Sequence, residues 1–447
     1  FVCVLDDEGD GHEHARRAVA RGAAAVVCER QTPVFHVPQY HVADSRVALG
    51  QIAHFLAGDP SRAVKVIGVT GSHGKTSTLE VLEAIFAADG KEVGVVSDAK
   101  IYDGMTRGPG AAVPLSPNAL ASKLARMDAA GLPVALVELS SVGLSRRTYA
   151  GVNLDALCVT HVTSADLQVH GSVQNHRDAS RRALDLLGGE GAAVLNGDDP
   201  VCCDWLGDFG GPVLTFSTQS DSPIAAQIIE RHANETVFLL TAGHETAAVR
   251  SSVLGDHFVD DCLAAAATAL LYGVPLTTIA KGIESVARLS GKMERVDLGQ
   301  GFPLFVDSAD SPESLRCVLR TARQISEGRV LCVLGDQPPR ADFDAEAVRS
   351  VVGRMADVAI VTDARAERDC FWHETSDDAC TVHQAVDRGE AIAWAVSMAR
   401  PGDVVVVTGS RGRDGVGFGQ KPQEPTDREL AHAALDSLAV PRLRLAA

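Results

Sequence analysis

The chain alternates between short apolar runs and longer segments in which apolar and polar positions recur with helical spacing. From Val66 onward this alternation is typical of buried parallel strands joined by crossover helices. The strands predicted in this first series are Val66–Val69, Val93–Val96, Val134–Leu139, Leu157–Val162 and Ala192–Leu195. The predicted helices are Thr76–Ala88, Asn118–Ala130 and Arg177–Leu187. Because such connections are right-handed, we predict βαβ units and a mostly parallel sheet.

A second series of the same kind begins near Gly291 and predicts a second parallel sheet. Its predicted strands are Leu304–Val306, Val330–Leu334, Val358–Val361 and Val404–Val407. Its predicted helices are Pro312–Ile325, Ala345–Met355 and Ala385–Met398. Between the two series, Ile224–Val253 has the alternation of short strands, and Asp260–Tyr272 is an alanine-rich helix.

The first sixty residues have weaker signals, with strands predicted at Val2–Leu5 and Ala23–Val27 and helices at His14–Arg21 and Ser45–Leu56. A segment with Gly, Pro and charge follows, 57–65, and is a plausible linker. We therefore expect three domains, 1–60, 61–290 and 291–447, with hinges near 57–65 and 287–293. The opening FVCVLDDEGDGHEH resembles a strand running into a loop, so we expect upstream sequence to be missing and the first domain to be truncated at its start.

Composition narrows the class of protein. The chain has 447 residues, 46% of them apolar, which excludes wholesale disorder. A net charge of −17 argues against broad binding to nucleic acid or to an anionic membrane. No apolar run approaches the ~20 residues of a membrane span. The ten cysteines are scattered without a CxxC pair, as expected for reduced thiols in a cytoplasmic protein.

The segment TGSHGKTS, Thr70 to Ser77, follows the first strand of the central series and opens its first helix. Gly71 and Gly74 let backbone N–H groups approach phosphate oxygens, and the helix adds its N-terminal dipole. Lys75 would reach the terminal phosphates, and Thr76 would offer its hydroxyl to Mg²⁺. The strict GxxxxGK[ST] pattern fails at Val69, and a generic glycine turn remains the alternative; the Lys-Thr pair directly after glycine favours a phosphate loop.

With this loop, the chain resembles the Mur ligases and folylpolyglutamate synthetases, and most of all the Mur ligases that add the third amino acid of the peptidoglycan stem. The resemblance runs over nearly the whole chain. DGHEHARRAVARGAAAVVCE, from Asp10, resembles the family's uridine-nucleotide domain. The other matching segments are VELSSVGLSRR from Val137, HVTSADLQVHG from His161, VLNGDDP from Val194, GKMERV from Gly291 and FVDSADSP from Phe305.

The resemblance implies an α/β fold with three domains: a small αβ N-terminal domain, a central P-loop NTPase-like domain with a parallel sheet, and a Rossmann-like C-terminal ligase domain. It implies an ATP- and Mg²⁺-dependent ligase in peptidoglycan precursor synthesis. Its substrates would be a UDP-MurNAc-peptide and an amino acid, joined through an acyl phosphate. A cytoplasmic monomer is expected, with no nucleic-acid partner and no membrane span.

Matching the family's motifs residue by residue gives the candidate site. Thr76 and Glu138 would hold the magnesium of ATP. Asp166 stands where the family has a histidine ligand of a second metal, and as a hard oxygen ligand it could bind Mg²⁺. The catalytic set implied is Lys75, Glu138, Asp166 and His170. The residues implied to bind the nucleotide are Thr70, Gly71, Ser72, His73, Gly74, Lys75, Thr76, Ser77, Asp261, Lys292 and Asp307.

Several family positions carry other residues here. Ser180 lies near the position at which the family has a lysine whose carbamate holds the second metal. An arginine beside Ser180 could supply fixed charge instead. Lys292 replaces an arginine, and the expected D-N-P-R signature reads DARAERD, from Asp363, in which Arg365 could partly substitute. The remaining replacements are Val142, Ala165, Gln168, Phe258, Asp261, Asp310 and the segment GSRGRD from Gly409.

Two further hypotheses therefore stay open beside the ligase that extends UDP-MurNAc-dipeptide. One is a divergent ligase that acts on a different acid or amine. The other is a non-catalytic homologue that binds nucleotide. The sequence does not say which amino acid is added.

Overall fold

The computed structural model describes residues 1–6, 9–110, 114–163, 167–309, 311–335, 345–362, 380–409 and 425–439. The chain divides into two compact units. One consists of Phe1–Ile224 with Ala264–Val274, and the other of Ala225–Leu263 with Pro275–Ala447. The three predicted domain ranges stay a prediction, whereas the predicted α/β class with two parallel sheets is confirmed.

The first unit contains the strands and helices of the N-terminal and central segments. Its strands are β1 Leu5–Asp6, β2 Gly9–Asp10, β3 Val26–Cys28, β4 Gln39–His41, β5 Lys65–Thr70, β6 Gly94–Val96, β7 Lys100–Tyr102, β8 Arg107–Pro109, β9 Val134–Leu139, β10 Leu154–Val159, β11 Leu187–Asn196 and β12 Val213–Ser217. Its helices are α1 Ala15–Ala20, α2 Ser45–Leu56, α3 Lys75–Ala88, α4 Pro117–Ala129, α5 Ser141–Ser145, α6 Leu167–His170, α7 Val173–Arg181 and α8 Pro200–Asp208.

The sheet of this unit runs in the order β12-β11-β10-β5-β9-β6-β7-β8. The strands from β12 to β6 are parallel, and β7 and β8 add an antiparallel edge. Every residue of β9 is buried, and β5 is buried from Val66 to Thr70, because helices cover both faces of such a sheet. The carboxyl ends of β5, β9 and β10 therefore lie together at one edge.

The N-terminal segment has its own small core. Strands β3 and β4 pair in parallel, and the cluster beneath them consists of Cys3, Ala15, Val26, Cys28 and Val34. The predicted strand Val2–Leu5 is wrong in its bounds. Val2 forms only an isolated bridge to Val27, and the strand itself is Leu5–Asp6.

The second unit continues the chain with strands β13 Ile224–Arg231, β14 Thr236–Ala242, β15 Glu245–Ser251, β16 Glu294–Val296, β17 Leu304–Val306, β18 Val330–Leu334, β19 Val358–Thr362, β20 Thr381–Ala385 and β21 Val404–Thr408. Its helices are α9 Asp256–Leu271, α10 Leu276–Glu284, α11 Pro312–Ile325, α12 Ala345–Met355, α13 Arg388–Met398 and α14 Asp427–Ala439; α9 continues into the first unit from Ala264. A sheet ordered β16-β17-β21-β18-β19-β20 is parallel except for β16. No helix in the described ranges is both long and apolar enough to span a membrane.

Three predicted elements differ from the structure for local reasons. The strand predicted at Leu157–Val162 is β10, Leu154–Val159, since the chain after it turns towards the loop between β5 and α3. The helix predicted at Arg177–Leu187 is wrong in its second half, because Leu187 pairs with Leu154 as the first residue of β11. The helix predicted from Ala385 starts at Arg388, because Asp387 caps it.

Candidate nucleotide-binding site

The glycine-rich loop between β5 and α3 has the backbone geometry of a phosphate cradle. Gly71 has a φ of 143°, and a Cβ there would lie 2.1 Å from the hydroxyl of Thr160. Gly74 has a φ of 83° at the N-cap of α3. Both conformations are costly for residues with a side chain. The two glycines therefore let the loop lie close to its neighbours and open the helix without a side-chain cap.

The chain after β10 holds the other side of the loop. The Ser72 N–H donates to the carbonyl of His161 at 2.6 Å, and the Thr163 N–H donates to the Ser72 hydroxyl at 2.8 Å. The Thr160 hydroxyl donates to the carbonyl of His73. Thr70 closes the base through a hydroxyl bond of 2.9 Å to the carbonyl of Leu139. These hydrogen bonds hold the loop in one conformation.

Lys75 begins α3, and Ser77 is buried in its first turn. The ammonium group of Lys75 donates to the carbonyl of Gly71 at 3.0 Å, so the side chain folds over the loop. This position places a cation beside the N-terminal N–H groups of a helix, where phosphate oxygens bind favourably. Of the eight predicted residues, Thr70 ends β5, Gly71 to Gly74 form the loop, and Lys75, Thr76 and Ser77 open α3.

Thr76 and Glu138 meet across the carboxyl ends of the sheet. The Thr76 hydroxyl donates to Oε2 of Glu138 at 3.0 Å. The N–H of Asp98 donates to the same oxygen at 3.1 Å. Glu138 is 7% exposed, and a carboxylate in such a place is costly unless its oxygens are satisfied. The other residues of β9 are apolar, so Glu138 is the one charged residue of this strand.

These two side chains fit magnesium. Mg²⁺ prefers hard oxygen ligands in an octahedron at about 2.0–2.1 Å, so neighbouring ligand atoms lie about 3 Å apart. The Thr76 and Glu138 oxygens are 3.0 Å apart. They could therefore take adjacent positions around one ion, with ATP and water supplying the others.

A tyrosine that the sequence analysis missed braces the strand end at Glu138. The Tyr149 hydroxyl accepts the Ser140 N–H at 3.0 Å and donates to the Glu138 carbonyl at 3.2 Å. A cavity next to it is lined by Glu138 and Ser140 together with Ser97, Asp98 and Tyr149 itself. Burial raises the pKa of Tyr149 to about 12. No motif pointed to this residue.

The Asn-x-Asp-Asp-Pro turn supports the same edge of the sheet. Asp199 accepts the Val162 N–H at 2.8 Å and caps α8 through the N–H groups of Val201 and Cys202. Burial favours the neutral carboxyl, but the bonds from His161 and from these backbone groups outweigh it and lower the pKa of Asp199. Asp199 thereby ties the chain beside the phosphate loop to α8.

The residues expected to form a second metal site are only partly in view. Asp166 and Ala165, which stands where the family has an acid, lie outside the described residues. Ser180 is 1% exposed on α7, a helix without a lysine. His170 ends α6, is buried, and packs edge-to-face on His176 with ring centres 5.1 Å apart. No cluster of three or more His, Cys, Asp or Glu side chains suited to a metal occurs among residues in the described ranges. The residues in view do not fit a lysine-carbamate metal site.

The remaining candidates lie in the second unit. Asp307 is 2% exposed and accepts the N–H groups of Met293, at 2.7 Å, and Ala309, at 2.8 Å. Burial raises the pKa of Asp307, and the nearby charge of Lys292 opposes that rise. Asp261 is buried in α9. The charge of Lys292 thus acts on Asp307. Asp310, Arg365 with its DARAERD segment, and 410–414 lie outside the described residues.

The loop of β5 and α3, its lysine and the Thr76–Glu138 oxygen pair together form a candidate nucleoside-triphosphate site in an α/β protein. Comparison with known proteins then gives the family. Residues 69–269 match the Mur ligase middle domain, and residues 291–411 match the Mur ligase, glutamate ligase domain. The chain belongs to the Mur ligase family, whose members are ATP-dependent amide-bond ligases.

Individual relatives cover almost the whole chain. It is 33% identical over 448 residues to the UDP-N-acetylmuramoyl-L-alanyl-D-glutamate--2,6-diaminopimelate ligase of Geobacillus kaustophilus, covering 97% of this chain and 91% of that protein. It is 31% identical to the UDP-N-acetylmuramyl-tripeptide synthetase of a Roseiflexus species, covering 98% and 92%. A solved UDP-N-acetylmuramoyl-L-alanyl-D-glutamate--2,6-diaminopimelate ligase superposes with a TM-score of 0.71 at 20% identity, covering 96% and 90%. The resemblance noted in the sequence is confirmed.

Proposed function

We propose that this protein is a cytoplasmic, monomeric, ATP- and Mg²⁺-dependent ligase that joins an amino acid to the carboxylate of a UDP-MurNAc-peptide-like substrate. The observation that carries the proposal is the 3.0 Å approach of the Thr76 and Glu138 oxygens beside a lysine-bearing phosphate loop. The names of the relatives support the substrate class. Chemistry of this kind consists largely of positioning and charge neutralisation, which such a loop provides.

The reaction balances in two steps. An oxygen of the substrate carboxylate attacks the γ-phosphorus of ATP, and the bond between that phosphorus and the β-phosphate oxygen breaks. ADP departs, and the substrate becomes an acyl phosphate. The amine of the amino acid then attacks the acyl carbon, and the tetrahedral intermediate expels phosphate as the amine loses its proton. Lys75 and the N–H groups of α3 would stabilise the charge on the transferred phosphoryl group.

Bound magnesium would neutralise negative charge on the phosphates of ATP. Thr76 and Glu138 would hold it through their side-chain oxygens. The metal-binding role of Asp166, the catalytic role of His170 and the nucleotide-binding roles of Asp261, Lys292 and Asp307 stay predictions. Lys292 would supply charge as a point cation without the fork of an arginine.

Phosphate release tests the proposal. ATP hydrolysis is measured with UDP-MurNAc-dipeptide, with a panel of amino acids including diaminopimelate and lysine, with both together, and with neither. Release that requires both substrates, with an amide product of the expected mass, supports the ligase. Release that requires another acid or amine identifies the divergent ligase instead.

Ser180 gives a specific reason to keep the second candidate, a non-catalytic homologue that binds nucleotide. A buried serine stands where the family uses a carbamylated lysine. Binding of ATP without phosphate release in any substrate combination would support this candidate and contradict the ligase.

A further inference from the structure

Tyr149 occupies a buried place between α5 and β10, next to the strand end that carries Glu138. The side chain is 4% exposed. Its ring lies against Gly143 of α5, where a Cβ would come within 2.6 Å of the ring and 2.7 Å of the hydroxyl oxygen. The absence of a side chain at position 143 therefore makes room for the phenol.

The phenol hydroxyl bonds to the backbone on both sides of Leu139. It accepts the Ser140 N–H at 3.0 Å and donates to the Glu138 carbonyl at 3.2 Å. Ser140 lies beyond the end of β9, where a sheet partner no longer fixes the chain. The Ser140 hydroxyl caps α5 through the Gly143 N–H at 3.1 Å. The phenol thus fixes the point at which β9 passes into α5.

This bracing acts on the candidate metal ligand. The Glu138 carboxylate is held by the Thr76 hydroxyl and the Asp98 N–H, which both bond to Oε2. Those contacts set the direction of the side chain, whereas the phenol sets the backbone from which it starts. Residues that orient metal ligands commonly affect metal affinity although they never touch the ion.

We propose that Tyr149 is a positioning residue for the magnesium-binding Glu138, acting through its hydroxyl bonds to the backbone at Glu138 and Ser140. The inference rests on the proposed function only in that Glu138 binds the metal of a nucleotide. It needs no turnover, no identified acid substrate and no identified amine.

Binding of Mn²⁺ in the presence of ADP tests the proposal directly. Mn²⁺ replaces Mg²⁺ as a spectroscopic probe, and its dissociation constant is measured by electron paramagnetic resonance for the full chain and for Tyr149→Phe. The variant keeps the ring and loses only the hydroxyl. We expect the dissociation constant to rise roughly tenfold or more. Binding of ADP in the presence of a chelator should change little.

Two further variants keep the test decisive. Gly143→Ala keeps the phenol but displaces its ring, and it should weaken Mn²⁺ binding in the same direction. Tyr102→Phe, the matched control, removes an exposed hydroxyl that bonds to Glu92 at 2.6 Å, and it should leave Mn²⁺ binding unchanged. Urea unfolding of each variant reports on stability separately.

The outcomes separate the two proposals. A Tyr149→Phe protein that unfolds more easily but binds Mn²⁺ as the unchanged chain does would overturn the positioning role. Weaker Mn²⁺ binding in both Tyr149→Phe and Gly143→Ala supports it, even if the unchanged chain releases no phosphate with any substrate. In that last case the ligase proposal fails and the positioning role stands.

Discussion

The Thr76 hydroxyl and the Glu138 carboxylate lie 3.0 Å apart, although 62 residues separate them in the chain. One opens the helix after β5 and the other nearly closes the neighbouring strand β9. In the sheet, Glu138 is level with Val69, the residue before the phosphate loop begins to form. Parallel pairing therefore brings a helix start and a strand end together, and a divalent cation can bridge them.

Replacement of Glu138 should weaken the metal site while the fold is retained. Glu138→Gln keeps the size of the side chain and an oxygen for the Thr76 hydroxyl, but it removes the negative charge. We expect the Mg²⁺ concentration for half-maximal phosphate release to rise at least roughly tenfold. Glu92→Gln, an exposed change, is the control. Equal Mg²⁺ dependence in both variants would remove Glu138 from the metal site.

Lys75 should be needed for phosphoryl transfer more than for folding. Lys75→Ala removes the cation over the loop, and we expect kcat to fall about a hundredfold or more, as when a fixed charge-stabilising donor is lost. Single-turnover phosphate release measures the chemical step. Lys91→Ala, near the far end of the same helix and paired with Asp89, is the comparison. Retained turnover in Lys75→Ala would show that the loop has no role in the reaction.

Gly71→Ala should deform the phosphate loop. The new methyl group would meet the Thr160 hydroxyl at 2.1 Å, and the φ of 143° suits glycine alone. Overpacking of this kind costs about 1–3 kcal/mol of unfolding free energy. We also expect loss of ADP binding, measured by calorimetry. Gly189→Ala, where nothing lies within 4 Å of the added carbon, should change neither quantity. Normal ADP binding by Gly71→Ala would count against the cradle.

Asp199 should contribute stability that depends on pH. Its folded-state pKa is lowered, so the ionised form is the one the fold stabilises, and the contribution is present above the unfolded pKa of about 3.9. Asp199→Asn should cost about 1–3 kcal/mol at pH 7, the range for hydrogen bonds to a buried charged group. The difference from the unchanged chain should shrink as pH falls below about 4 and through the lowered folded-state pKa.

Urea unfolding at several pH values measures this effect. Asp204→Asn, an exposed change on the same helix α8, serves as the control and should show no such pH dependence. A constant difference between Asp199→Asn and the unchanged chain from pH 7 to pH 3 would mean that the carboxylate charge contributes nothing.

Local pattern was enough to predict the sheet and the loop. Buried parallel strands are continuous apolar runs, so β9, β17 and β18 begin and end where the sequence placed them. The phosphate loop carries its own glycines and its own lysine within eight residues of chain. Glu138 stood out because a carboxylate interrupts an apolar strand. In each case the physical cause lies within a few positions of the residue concerned.

The features that the sequence could not predict depend on tertiary contacts between separate segments of the chain. Tyr149 bonds to Glu138 and Ser140 after the turn of α5, a contact that no periodicity predicts. The apolar run predicts that the strand continues after β10 to Val162. Its N–H instead bonds to Asp199, which comes from a later turn. Leu187 had helical spacing but pairs with Leu154 in the sheet. Tertiary pairing decided these positions.

Ser180 has a consequence for the conditions under which the protein works. A lysine carbamate forms when an uncharged amine captures dissolved carbon dioxide, and it dissociates again when the gas is removed. Helix α7 offers the buried Ser180 hydroxyl in its last turn and no lysine, and a carbamate cannot form without an amine nitrogen. Helix α7 therefore cannot be carbamylated at this position. Whatever reaction this chain catalyses, we expect its rate to be the same in degassed buffer and in bicarbonate-supplemented buffer.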